Sequence, residues 1–293
     1  MRICVIFNPA ARGNKARHFR RHLGEIGGKS ALKATGAPGD ARRLAADAIK
    51  DGFDVIVAAG GDGTMHEVLN GIGDVPDGFE KARLGVLPLG TVNVLARELK
   101  IPLKLADAWE TLRRGREKKI DLPCAEFSAT GKKVYFAQLG GAGLDVRAIE
   151  LVDFSVKKKI GPLAYILAGM KALFEKKLQI KASANGTSFT GELVLVGNGK
   201  LYGGPFEVFP SADLSDGILD VCIFPRTDLG TLLRCAPAFL LRRKLPEKMV
   251  QRFRNASFEL TAESKASFEL DGELVGSLPA KFSVERERLR VIC

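Results

Sequence analysis

The stretch DVIVAAGGDGTMHEVLN, from Asp54 to Asn70, decides the fold of this chain. Its apolar run from Val55 to Ala59 predicts a buried strand, and the apolar residues at helical spacing after Thr64 predict a helix. The turn between them is rich in glycine, which allows positive φ and lets backbone N–H groups approach a ligand closely. Because a helix N-terminus also favours phosphate, the stretch predicts a phosphate-binding turn.

A carboxylate stands in the middle of this turn, at Asp62. A turn that only binds anions would avoid a carboxylate, so Asp62 indicates a metal ion or a hydroxyl group that is to be activated. The alternative is a capping residue in a tight turn between a strand and a helix.

The β-α alternation continues on both sides of this stretch and predicts an α/β N-terminal domain, a parallel sheet with helices on both faces. Further strands are predicted at 2–7, 32–35 and 84–87, and helices at 41–50, 92–99 and 103–113. Ligands of such sheets bind beyond the carboxyl ends of the strands. The turns at Asn8-Pro9, Gly60–Thr64 and Gly90-Thr91 all fall there, so we expect them to face one crevice.

After about Asp121 the pattern changes to short β runs, which predicts a β-rich, sandwich-like C-terminal domain. We therefore expect two domains, residues 1–121 and 122–293. The predicted strands include 134–139, 192–196, 207–209, 218–224, 257–260, 267–270, 280–284 and 289–292. Two apolar stretches with basic flanks, 157–177 and 227–248, predict either helices on an anionic membrane surface or helices packed on the domain.

Composition restricts the partners of the protein. The net charge of +11 suits an anionic partner, such as a nucleic acid, an acidic lipid surface or a nucleotide. Only three tyrosines and one tryptophan offer stacking surfaces, so we expect no nucleic acid. Five widely spaced cysteines indicate reduced thiols in a cytoplasmic protein. No apolar run reaches the roughly 18 residues that span a bilayer, so we expect at most peripheral binding at the inner membrane face.

Several motifs together resemble the catalytic domain of the diacylglycerol kinase and sphingosine kinase family, and its bacterial lipid kinases in particular. They are Asn8-Pro9, GGDGT at 60–64, PLGTVN at 88–93, GNG at 197–199, YGG at 202–204, PSADLSDGILD at 210–220 and DGE at 271–273. The glycine turn also occurs in NAD kinases and phosphofructokinases, whereas the YGG and LSDG segments are typical of this family.

The resemblance implies transfer of phosphate from ATP to a lipid hydroxyl. Glu273 would be the general base, with Asp271 and Asp62 near it, and Asp121 would extend the acidic network. Mg²⁺ would bind the Asp216 side chain and backbone carbonyls at Asp213 and Ile218. The nucleotide site would be lined by Asn8, Pro9, Arg12, Thr35, Gly60, Gly61, Asp62, Gly63, Thr64, Glu67, Gly90, Thr91 and Asn93.

Each of these assignments has an alternative. Asp213 and Asp216 could only shape a β-turn, and Asp271-Gly272 is also a favourable hairpin turn that would leave Glu273 a solvated strand residue. Val94 stands where the family often has an acidic residue. The alternatives for the whole chain are an NAD kinase-like enzyme with a soluble substrate and a nucleotide-binding regulator without catalysis. The sequence is also compatible with a homodimer.

Overall fold

The computed structural model describes residues 1–10, 30–151, 177–240 and 245–293. Arg12 lies outside these ranges, and so does the predicted stretch 157–177 except for Lys177. Within the described ranges, no helix is long and apolar enough to cross a membrane.

Strands and helices alternate in the first part of the chain. The elements are β1 (Ile3–Phe7), β2 (Ser30–Ala34), α1 (Asp40–Lys50), β3 (Val55–Gly60), α2 (Asp62–Gly73), α3 (Gly78–Lys81), β4 (Arg83–Pro88), α4 (Val94–Glu98) and α5 (Leu105–Arg114). The strands form a parallel sheet with the order β2-β1-β3-β4, which confirms the predicted α/β architecture. All six residues of β3 are buried, as expected for a central strand of such a sheet.

The second part is dominated by antiparallel strands, which confirms the predicted β-rich, sandwich-like half. The elements are β5 (Glu117–Phe127), β6 (Lys133–Tyr135), β7 (Leu139–Gly143), α6 (Leu144–Leu151), β8 (Ile180–Ala184), β9 (Thr187–Gly191), β10 (Leu193–Gly197), β11 (Leu201–Tyr202), β12 (Phe206–Glu207), β13 (Leu219–Phe224), α7 (Leu229–Leu240), β14 (Gln251–Asn255), β15 (Ser257–Ala262), β16 (Ser267–Leu270), β17 (Glu273–Ser277) and β18 (Ala280–Ile292). Six of these strands form a second sheet with the order β14-β13-β10-β7-β16-β17.

The last strand, β18, belongs to both halves of the molecule. Its first residues pair antiparallel with β15, and Val291 pairs parallel with Leu84 of β4. The prediction of two separate strands here is wrong, because β18 continues through a register shift in its pairing with β5, between Glu285 and Leu289. Since β5 also crosses residue 121, the division of the chain at this residue stays a prediction.

Phenylalanine side chains fill the space between the two sheets of the second half. Phe258 and Phe282 come from the sheet that contains β18, and their rings are stacked with centroids 5.1 Å apart. Phe268 of β16 meets Phe282 from the other sheet at 5.8 Å. Burying one such side chain is worth about 1.5–3 kcal/mol, so this cluster fixes β16 and the hairpin that follows it.

Candidate active site

The carboxyl ends of β1, β2 and β3 meet at one edge of the parallel sheet. Asn8 follows β1, and its backbone N–H donates to the Ala59 carbonyl at 3.0 Å. The Asn8 side chain also donates to the Thr64 hydroxyl at 3.2 Å. Thr35, after β2, donates its N–H to the Phe7 carbonyl at 2.9 Å. Two of the three turns that were predicted to face one crevice, Asn8-Pro9 and Gly60–Thr64, therefore lie side by side.

The two glycine turns touch each other through their backbones. The N–H groups of Leu89 and Gly90 donate to the Gly60 carbonyl at 2.9 and 3.0 Å. A Cβ atom on Gly90 would collide with the Cα atom of Gly61, and one on Gly60 would collide with the Thr64 side chain. Glycine is therefore needed at Gly90 for the two turns to pack this closely, and at Gly60 for the Thr64 side chain to fit within its own turn.

Asp62 joins the two turns. Its carboxylate accepts hydrogen bonds from the backbone N–H groups of Asn93 at 2.9 Å and Val94 at 2.7 Å. Asp62 thus caps α4, and not its own helix, and this long-range cap is a role that the sequence did not indicate. Burial raises the pKa of Asp62, the N–H groups of Val94 and Asn93 oppose this rise, and the charge of Asp271 adds to it.

Other residues predicted to bind the nucleotide have structural partners. Glu67 accepts hydrogen bonds from the N–H groups of Gly39 at 2.8 Å and Ala41 at 2.9 Å, so its carboxylate holds the N-terminus of α1. Asn93 closes its own turn through two hydrogen bonds with the backbone of Gly90. Thr91 is exposed beside it. These contacts fix the backbone around the predicted nucleotide site.

Glu273 brings the second half of the molecule to the glycine turn. It follows the two-residue turn of the β16–β17 hairpin, in which Asp271 and Gly272 have φ of 51° and 87°. Two positive φ values in succession are typical of hairpin turns with the Asp-Gly sequence. The Glu273 carboxylate lies so close to Gly63 that a Cβ atom on this glycine would collide with it. Glu273 is exposed, and its carboxylate lies at the N-terminus of α2.

Asp271 is a buried anchor for this hairpin. Its carboxylate accepts hydrogen bonds from the N–H groups of Ala137, Gln138 and Leu139 at 2.9, 3.0 and 3.2 Å. Nδ1 of His66, on α2, lies 3.5 Å from the same carboxylate. The predicted single strand over 134–139 is wrong, because the N–H groups of its second half bind Asp271 and the strand divides into β6 and β7.

The loop predicted to bind Mg²⁺ is already ion-paired. Asp216 accepts a hydrogen bond from the Ile218 N–H at 3.0 Å and one from Nη2 of Arg254 at 2.5 Å. Asp213 accepts from the N–H and hydroxyl groups of Ser215, and these bonds lower its pKa. Arg254 was missed by the sequence analysis, because nothing near it in the chain marks it as a partner of this loop.

Asp121 supports the same loop from β5. Its carboxylate accepts hydrogen bonds from the N–H groups of Gly217 at 2.6 Å and Glu287 at 2.7 Å. Burial raises the pKa of Asp121, and these two N–H groups oppose the rise. Carboxylate and carbonyl oxygens suit a hard cation. The described residues contain no group of three or more histidine, cysteine or acidic side chains that could hold a metal, and a cation at Asp216 would compete with Arg254.

The chain matches two known protein families, one in each half. Residues 2–125 match the diacylglycerol kinase catalytic domain, and residues 140–293 match the YegS C-terminal NAD kinase beta sandwich-like domain.

Individual proteins resemble the chain over nearly its whole length. A diacylglycerol kinase of Bacillus subtilis is 30% identical over 289 residues, which cover 95% of this chain and 91% of that protein. A probable YegS-like lipid kinase of Pseudomonas aeruginosa is 35% identical over 275 residues, covering 91% and 85%. A crystal structure of a diacylglycerol kinase from Bacillus anthracis superposes with a TM-score of 0.75, covering 99% and 96% at 22% identity, so that likeness concerns the fold.

Proposed function

This chain belongs to the family of bacterial diacylglycerol kinases and related lipid kinases, and on that premise we propose that it transfers the γ-phosphate of ATP to a hydroxyl group of a lipid such as diacylglycerol. The observation that carries the proposal is the position of the Glu273 carboxylate against Gly63. A carboxylate from the second half of the molecule thus lies where the predicted phosphate-binding turn begins a helix, which suits a reaction between a nucleotide and an alcohol.

The ATP phosphates would bind at the Gly60–Thr64 turn. Backbone N–H groups at the start of α2 and the partial positive charge of this helix favour phosphate there. The turns that carry Asn8, Thr35 and Thr91 would form the walls around the nucleotide. Asp62 would act by holding the Asn93–Val94 backbone in place, so that the second glycine turn keeps its position.

Glu273 would act as the general base. As the lipid hydroxyl oxygen bonds to the γ-phosphorus, the bond to the leaving ADP oxygen breaks and the hydroxyl proton passes to the Glu273 carboxylate. Asp271 would not touch the reacting atoms, because its carboxylate is taken up by backbone N–H groups. Its proposed role is to hold the turn from which Glu273 extends.

Mg²⁺ would neutralise charge on the ATP phosphates when bound. The predicted ligands are the Asp216 side chain and the backbone carbonyls of Asp213 and Ile218. The ion pair between Asp216 and Arg254 is the feature that a bound ion would have to open.

A lipid substrate also implies peripheral contact with an anionic membrane surface, which we propose for the cytoplasmic face. The net charge of +11 supports this contact. Within the predicted 227–248 stretch, α7 exposes 59% of Leu229 and 66% of Leu233 beside the exposed Arg226 and Arg234. Apolar residues next to basic ones are typical of helices that lie on anionic lipid.

The proposal is tested by incubating the purified protein with γ-labelled ATP and a panel of acceptors. The panel contains vesicles with diacylglycerol, phosphatidylglycerol, a sphingoid base or ceramide, and soluble NAD. We expect label in a lipid and none in NAD. Label in the NAD product would favour the soluble-substrate alternative, and no transfer by a protein that binds ATP would favour the regulator.

A further inference from the structure

A buried carboxylate, Glu269, lies directly beneath the turn that carries Glu273. Only 1% of Glu269 is exposed, and both of its carboxylate oxygens accept hydrogen bonds. The Gly272 N–H donates to Oε2 at 2.7 Å, and the Tyr202 hydroxyl donates to Oε1 at 2.9 Å. A buried carboxylate is costly unless such donors are present, so these two bonds stabilise the Glu269 side chain in this position.

The bond to Gly272 acts on the turn itself. Gly272 separates Asp271 from Glu273, and its N–H is the group that Glu269 holds. Asp271 is fixed independently through the N–H groups of Ala137, Gln138 and Leu139. The bond between Glu269 and Gly272 therefore acts together with the pairing of Glu273 and Leu270 to set the direction in which the chain leaves the turn.

Tyr202 connects this bond to the first half of the molecule. Its ring packs edge-on against Phe209, with centroids 6.3 Å apart. The neighbouring Leu201 N–H donates to Oε2 of Glu98 at 2.9 Å. Glu98 ends α4, the helix whose N-terminus is capped by Asp62.

These contacts form a closed ring around the site. The ring runs from the glycine turn through Asp62 and α4 to the β11–β12 hairpin, and from there through Tyr202 and Glu269 to the turn before Glu273. Glu273 returns to the glycine turn at Gly63. Because the ring joins the predicted nucleotide turn to the predicted base by a second route, a change in it alters their relative position.

We propose that Tyr202 and Glu269 are positioning residues that hold the Glu273 carboxylate against the glycine turn. This inference rests on the proposed function, since it assigns Tyr202 and Glu269 to the support of the proposed base. Without the Tyr202 hydroxyl, Oε1 of the buried Glu269 carboxylate loses the hydrogen bond that Tyr202 donates. The carboxylate then moves toward other donors, and the turn loses its fixed direction.

The test compares Tyr202→Phe with Tyr135→Phe, which removes the equivalent hydroxyl group from a ring of β6 that packs against the C-terminal end of α2. We expect Tyr202→Phe to lower kcat by about tenfold or more, since misplacement by about 1 Å can cost about 100-fold. The KM of Tyr202→Phe for ATP should stay within about twofold of wild type, and so should the kcat of Tyr135→Phe. Glu269→Gln should lose a similar factor, and the double variant should be no slower than the slower single variant, because both changes break one link.

Two readouts separate positioning from a general loss of structure. In a Glu273→Gln background, Tyr202→Phe should not lower kcat further. Hydrogen exchange of the Gly272 amide should be faster in Tyr202→Phe and unchanged in Tyr135→Phe. Unchanged Gly272 exchange in Tyr202→Phe, a wild-type kcat, or an undiminished loss in the Glu273→Gln background would each overturn the inference.

Failure of the proposed function gives a different result. If Glu273→Gln itself keeps wild-type turnover, the proposed base is wrong, and the inference falls with it. If Glu273→Gln is inactive while Tyr202→Phe has normal turnover and normal Gly272 exchange, the positioning pair alone is wrong.

Discussion

Replacing Gly63 by alanine separates the stability of the fold from the chemistry of the site. Gly63 is the second residue of α2, and its φ lies outside the left-handed region, so alanine fits the helical backbone. The added Cβ would collide with the carboxylate of Glu273. The variant therefore displaces the proposed base without changing Glu273 itself.

The expected effects on stability are small and opposed. Alanine is favoured over glycine in a helix by up to about 1 kcal/mol. Moving the end of the Glu273 side chain away from its present rotamer costs about 0.5–1.5 kcal/mol. We therefore expect the free energy of unfolding to change by no more than about 1 kcal/mol, while kcat falls by about 100-fold or more, because a general base contributes about that much.

The assay measures kcat with γ-labelled ATP and the melting temperature of the same preparations, with and without ATP. The matched control is Gly63→Ala in a Glu273→Ala background, where the collision is absent. The reasoning requires that Gly63→Ala has no further effect on kcat in that background and that ATP still raises the melting temperature. A kcat within about twofold of wild type for Gly63→Ala alone would refute the reasoning. If ATP no longer raised the melting temperature of the variant, the loss of activity would be due to weaker ATP binding.

Three further variants test other parts of the account. Asp62→Asn should fold but lose transfer. The pKa of Asp62 is raised in the fold above its ordinary value of 3.8. The contribution of this carboxyl to wild-type stability should therefore decline as the pH rises from 3.8 through the folded pKa. Urea titrations should find this decline weaker in Asp62→Asn. Asp216→Ala should reduce any rise in melting temperature with Mg²⁺. Arg254→Gln, which frees the Asp216 carboxylate, should increase that rise. If wild type and both variants respond equally to Mg²⁺, the ion does not bind at this loop. Exchanging Leu229 and Leu233 for glutamine should weaken sedimentation with anionic vesicles at low salt. If sedimentation is unchanged and the variant loses a dimer in ultracentrifugation, α7 forms a dimer interface instead.

The local elements of the first half could be predicted from sequence because each follows from residues close in the chain. The apolar run in β3 is buried along its whole length, and glycine turns follow β3 and β4 where the pattern placed them. The ends of parallel strands share one edge of a sheet, so the proximity of these turns could also be predicted. The pairing of Val291 with Leu84 could not be predicted, because no local pattern marks a partner about 200 residues away.

The carboxylates could be found from sequence more easily than their partners. Asp62 stood out in its turn, but the N–H groups that it accepts from lie 31 and 32 residues further along the chain. Arg254 pairs with Asp216 across 38 residues, and Tyr202 with Glu269 across 67. An acidic residue in a turn can cap a helix, bind a metal or take a proton, and only the folded partners distinguish these roles.

The central claim is that Glu273 takes the proton of the acceptor hydroxyl, and its most direct test is the single-turnover rate of Glu273→Gln with bound ATP. The control is Glu263→Gln, which changes an exposed carboxylate between β15 and β16. We predict that Glu273→Gln lowers the rate of transfer to a diacylglycerol vesicle by about 100- to 10,000-fold with ATP binding preserved, while Glu263→Gln stays at the wild-type rate. A wild-type rate in Glu273→Gln would contradict the account.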